Sequence, residues 1–206
     1  MDVNSDLDKF ASSLRQRIWI TKGSRFNAAR RLNNKYQFSL SSISILSVYG
    51  IAIPFIQNTT NNPHCQKVND IYSAISVILS VFTLVISLLE GAKNYQIRAE
   101  KLHNNAVELS SLSRELEFLV VSKSGEAEFI QEIGEISARY EKLIKQCPEN
   151  HELEDYTLFM LQNRKEFNIN IFSELYIRIK LICIDYWLYA FVLGIPPIVF
   201  LLHSSC

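Results

Sequence analysis

The chain has 206 residues, 48% of them hydrophobic, and its 21 basic and 21 acidic side chains cancel to no formal net charge. That length holds one ordinary domain, or a small domain plus membrane segments. Four scattered cysteines, Cys65, Cys147, Cys183 and Cys206, form no CxxC pair, so neither a zinc site nor a thioredoxin-like centre is indicated.

The charge balance hides an asymmetry. No Asp or Glu occurs from residue 9 to residue 69, whereas Arg15, Arg17, Lys22, Arg25, Arg30, Arg31 and Lys35 crowd the segment ahead of the first apolar run. Such a block could attract nucleic acid. Abutting an apolar span, however, it is the commoner mark of a cytoplasmic flank, and no direct nucleic-acid binding is expected. Residues 1–38 are polar and charged before any apolar core begins, so no cleavable signal is expected and the first span acts as an uncleaved anchor.

Within 1–38, Leu7, Phe10, Leu14 and Ile18 recur at helical steps. Phe26, Ala29 and Leu32 follow a break at Thr21-Lys22-Gly23-Ser24. The segment reads as a basic, amphipathic, cytoplasmic or interfacial helix. Arg17, Trp19, Lys22, Arg25, Arg30 and Arg31 are its candidate contacts to lipid headgroups. A phosphate could alternatively gather at the Lys22-Gly23-Ser24-Arg25 turn, although no full P-loop pattern is present.

Residues 39–57 make the first span, with Ser44, Ser47 and Gly50 as a small-residue face and Pro54 near the far end. The connection over 58–70 is rich in Asn, Thr and Pro and reads as an outer loop. Its Asn58-Thr59-Thr60 triplet fits a glycosylation acceptor, without meaning in a bacterium. Residues 71–89 carry no charge and match a bilayer's hydrocarbon thickness. Their polar residues Ser73, Ser76, Ser80, Thr83 and Ser87 fall within an arc of roughly 80°, and Glu90 continues the stripe. Such a stripe either packs helices closely or lines a water-filled path with Glu90 at its mouth. The excess of cations on both flanks of the 39–89 hairpin puts the N-terminus in the cytoplasm.

Beyond residue 90, Leu102, Ala106, Leu109, Leu112, Leu116 and Leu119 extend the second span as one long helix to about residue 121. Phe129, Ile133, Ile136, Tyr140, Leu143 and Cys147 mark a further helix that stops before Pro148, and 155–180 a third. Residues 90–181 therefore form a cytoplasmic helical module, an antiparallel bundle or an intermolecular coiled coil. Residues 182–202 are a third hydrophobic segment, carrying Asp185, Gly194, Pro196 and Pro197, that either spans or is re-entrant. If it spans, Cys65 and Cys206 share an oxidising side and could pair.

The expected class is all-α and integral to the membrane: two transmembrane helices, a third hydrophobic C-terminal helix and a helical module. His64, His103, His151 and His203 lie in unrelated contexts, and no GxGxxG, GxSxG or HExxH occurs. Neither enzyme activity nor a cofactor or metal is expected.

The run from Arg17 through Trp19, Lys22, Gly23, Arg25, Phe26 and Arg30 to Leu32, followed by a serine-rich span, a short loop and a second span, resembles the bacterial SLATT proteins, best over residues 15–100. The branch found beside reverse transcriptases is the nearest in character. The resemblance implies a homo-oligomeric, pore-forming effector of anti-phage defence in the inner membrane. A reverse transcriptase or a nucleotide-signal sensor encoded nearby would trigger it. A non-conducting membrane scaffold and a nucleotide-responsive receptor are the alternatives.

Overall fold

The computed structural model describes residues 3–59, 66–122 and 126–203, which form six helices and, among those residues, no strand. They are α1 (Val3–Thr59), α2 (Gln66–Ala92), α3 (Tyr95–Ser122), α4 (Glu126–Gln146), α5 (Leu153–Gln162) and α6 (Ile171–His203). The chain divides into two compact units, one made of Met1–Asn33 with Gln96–Arg178, the other of Asn34–Tyr95 with Ile179–Cys206.

The first unit is a helical bundle within one chain. Leu102, Ala106, Leu109, Leu112, Leu116 and Leu119 are all buried along α3, as their steps of three and four require. They meet Ala11, Leu14 and Ile18 of α1 and Ile133, Ile136 and Tyr140 of α4 in one core. Each such leucine stabilises the bundle by about 1.5–3 kcal/mol. The expected stripe at the start of α1 is shifted by one position at its outer end: Phe10 is exposed and Ala11 buried, since Ala11 is the residue in step with Leu14 and Ile18.

The break expected at Thr21–Ser24 does not form; α1 passes straight through it. Gly23 serves packing instead of a turn. A Cβ built there would lie 2.2 Å from Cδ2 of Phe159, so only glycine lets the α5 ring rest on the α1 backbone. Phe159 also meets Trp19 edge-on at 4.7 Å, and Phe167 stacks parallel to Trp19 at 6.2 Å. Over residues 24–32 α1 is covered on both sides, with Ser24, Arg25, Asn27, Ala28, Ala29, Arg31 and Leu32 all buried.

Two further expectations are corrected. The second span does not continue as one helix: α2 ends at Ala92 and α3 begins at Tyr95, with Asn94 between them at φ 49°. Asparagine tolerates that left-handed backbone better than most residues, so it ends a helix much as glycine does. Likewise 155–180 is not one helix. It is α5, a turned stretch with Asn168 at φ 51°, and then the start of α6. Helix α6 runs on through Pro196 and Pro197 to His203 without a break.

The second unit holds the latter part of α1, helix α2 and most of α6. Its surface is apolar, with Val48, Ile51, Phe55, Val77, Ile78 and Leu84 among the side chains left exposed. Of the apolar windows within Asp6–Phe55 and Ser73–Ser122, only 17% and 11% is buried. The core helix of a water-soluble protein would be mostly buried, and an exposed apolar face of this extent belongs in lipid.

Candidate functional site

The polar stripe of α2 is divided by the fold into two lines, each with a seven-residue step. Ser76, Thr83 and Glu90 turn inward, with Ser76 and Glu90 buried and Thr83 half-buried. Ser73, Ser80 and Ser87 remain exposed beside them. Two lines three residues apart differ by about 60° around a helix, enough to place one in the seam and its neighbour at the edge. Ser80 and Thr83 donate to the carbonyls of Ser76 and Leu79 one turn back, at 2.8 and 2.7 Å. Such back-bonds satisfy hydroxyls in an apolar setting.

Helix α1 meets this stripe through Gly50, where a Cβ would stand 3.6 Å from the Ser80 hydroxyl. Ser44 and Ser47, expected on the same face, are exposed and bond back to Leu40 and Ile43. The inward positions are Ser39, Ser42 and Leu46, which the helical phase puts in line with Gly50.

Glu90 does not open to water. It is 8% exposed, accepts a hydrogen bond of 2.9 Å from the Tyr189 hydroxyl of α6, and pairs with Lys93 at 2.5 Å. The buried Ser39 of α1 is a further polar neighbour. One turn away, Lys35 of α1 pairs with Asp185 of α6 at 2.6 Å, and Phe38 lies 4.6 Å from Tyr186. Lys35 and Ser39 are four residues apart on α1, as Asp185 and Tyr189 are on α6, so each helix presents two polar groups in register. Ionisable groups in an apolar unit are costly unless paired, and here they are paired. The spacing rules of single helices do not reveal these ties, although Asp185 within the third hydrophobic segment and Glu90 at the end of the second were signals that both needed partners.

The basic residues of α1 have fates different from those expected. Lys22 donates to Ser113 at 3.2 Å, and Trp19 lies in the aromatic stack. Arg31 is 6% exposed and grips Asp155, itself 0% exposed, through Nε at 2.7 Å and a second nitrogen at 3.0 Å; that second nitrogen also reaches Glu152 at 2.8 Å. Arg25 is 2% exposed and donates to the Asn105 side chain. Burial lowers its pKa from the ordinary guanidinium value, partly offset by Cys147 and Tyr140. Burial, and then the Arg25 charge, also lower the His151 pKa, with Asp155 opposing. Arg17 and Arg30 alone of the six candidates are exposed, Arg17 donating to Ser13 at 3.3 Å. Helix packing consumes the others because α1 lies between α3 and α5 rather than flat on a surface.

Among the described residues no three His, Cys, Asp or Glu side chains gather to hold a metal ion. Cys147 and Cys183 are free thiols. The side chains of Cys65 and Cys206, and those of the Asn58-Thr59-Thr60 triplet, lie outside the described residues.

These features define a helical membrane protein: an exposed apolar hairpin crossed by a polar seam, with a separately packed helical bundle. Residues 7–203 match the SMODS and SLOG-associating 2TM effector domain family 5, and the chain belongs to that family. No curated protein and no solved structure matches it. Family and fold together make it a two-transmembrane effector domain of the kind associated with defence systems.

Proposed function

We propose that this chain is the pore-forming effector of an anti-phage system, and that copies of it assemble in the bacterial inner membrane and permeabilise it when a sensor reports infection. Loss of the membrane gradient then ends growth of the infected cell, which is abortive infection. The N-terminus and the first unit lie in the cytoplasm, where a reverse transcriptase or a nucleotide signal can reach them, and α6 crosses the bilayer as a third helix.

The observation that carries this reading is the exposed line Ser73, Ser80 and Ser87 on a helix whose other outward residues are mostly Val, Leu, Ile and Phe. Three hydroxyl residues at a seven-residue step form one small-residue polar line suited to a neighbouring copy or to water. Replacing all three with leucine leaves the buried line intact. The variant inserts normally but no longer releases ions or dye from vesicles under conditions in which the wild type does. Undiminished release from the leucine variant overturns the pore.

A second reading, a non-conducting membrane scaffold, draws support from the burial of Glu90 and from the back-bonded Ser80 and Thr83 hydroxyls, which need no water. Wild-type protein that never releases dye under any trigger, while still recruiting its partner, favours the scaffold.

A further inference from the structure

The polar ties of the second unit join three helices at one level. Glu90 belongs to α2, Ser39 and Lys35 to α1, Tyr189 and Asp185 to α6. Helix α6 supplies one member of each rung, Tyr189 to Glu90 and Asp185 to Lys35. Tyr189 is buried, as is Glu90, so the hydrogen bond is shielded from competing solvent. No charge occurs on α2 between Asp70 and Glu90, and Glu90 stands three residues beyond Ser87 at the end of the hydroxyl stripe that faces α6.

We propose that α6 is a strap that holds the effector closed: its Tyr189 and Asp185 fasten Glu90 and Lys35, and release of the strap frees the Glu90 end of the hydroxyl stripe to meet water. This inference deepens the pore reading and rests on it for the passage of ions, but the fastening itself can be measured separately.

Helix α6 is suited to carry such a release. Its first residues belong to the bundle unit, where Glu174 is held by Arg164 at 3.2 Å and by Arg178 at 2.9 Å. The same unbroken helix then carries Asp185 and Tyr189. A hydrogen bond to a charged carboxylate shifts a two-state equilibrium by a factor of roughly 10 to 100, large enough to set a resting state yet small enough for a partner to overcome.

The test uses the full chain in vesicles of phosphatidylethanolamine and phosphatidylglycerol, with Cys65, Cys147, Cys183 and Cys206 changed to serine and Thr83→Cys as a reporter on the inward line. Tyr189→Phe removes only the hydroxyl. It should speed labelling of position 83 by a charged methanethiosulfonate by roughly tenfold or more, and raise dye release in parallel. A variant that labels faster without releasing dye supports the strap and overturns the pore. Labelling at the wild-type rate overturns the strap, whatever the dye does. As a second arm, Lys35→Asp and Asp185→Lys should each speed labelling singly and restore the slow rate together; a double variant as fast as the singles also overturns it.

Discussion

At the scale of single residues, the two helical glycines with opposite surroundings make the sharpest comparison. Gly23 lies under the Phe159 ring, whereas a Cβ at Gly134 of α4 would meet nothing within 4 Å. Gly23→Ala must displace the ring and should cost about 1–3 kcal/mol, while Gly134→Ala should stabilise by about 0.5–1 kcal/mol through lower chain entropy and better helix propensity. Thermal unfolding of detergent-solubilised protein followed by circular dichroism checks both. His151 gives a prediction with a sign. Its folded pKa is depressed below the ordinary 6.5, so its contribution to stability is fully present above pH 6.5. As the pH falls from there through the folded value, the unfolded chain binds the proton more readily and stability declines. His151→Gln should flatten that part of the stability profile between pH 7.5 and 5. A decline of equal depth in the variant assigns it to carboxylates instead. Gly23 looked like a breaker in the sequence because glycine between polar residues punctuates most chains. Its partner Phe159 is 136 positions away, and nothing local announces it.

At the scale of elements, α1 and α5 are joined by the buried pair Arg31 and Asp155, and Asp155 also accepts the Glu152 amide at the start of α5. Removing one charge strands the other. Arg31→Met should therefore destabilise the first unit by about 3–5 kcal/mol, and Arg31→Met with Asp155→Leu by distinctly less than the sum of the two single changes. Denaturant titration of the four proteins in detergent measures the coupling; strict additivity would remove the pair from the account of how α5 is held. The stripes of α3 and α4 were readable because an amphipathic helix writes its buried face at a fixed period. The ends of helices were less so. Asn94 lies between two helical patterns that continue in step, and the turn after α5 contains Phe167, which serves the Trp19 stack as well as it would have served a helix face.

At the scale of the whole molecule, the exposed apolar surface of the second unit requires a bilayer. The protein should remain in the membrane pellet after alkaline carbonate washing and leave it only with detergent, since its hairpin presents apolar residues such as Val48, Ile51, Val77 and Leu84 that water does not tolerate as a group. Release by carbonate alone would make it a peripheral protein and contradict the family assignment. The division into two units also explains the fate of the basic N-terminal segment. The segment expected to lie on headgroups instead packs into a bundle whose other members come from beyond residue 95, with Ala11, Leu14 and Ile18 in its core and Arg25 and Arg31 buried.

The sequence by itself determined the apolar hairpin, the all-helical class, the hydroxyl stripe and the faces of α3 and α4. Each of these is a local period or a local excess, written within one stretch of chain and independent of any neighbour. Only the tertiary structure decided which half of the stripe is covered, that Arg25 and Arg31 are interior, and that Lys35 and Glu90 find Asp185 and Tyr189. Those outcomes depend on the phase of one helix against another. Phase is a property of how helices pack together, and one residue more or fewer within a helix turns every following side chain by about 100°.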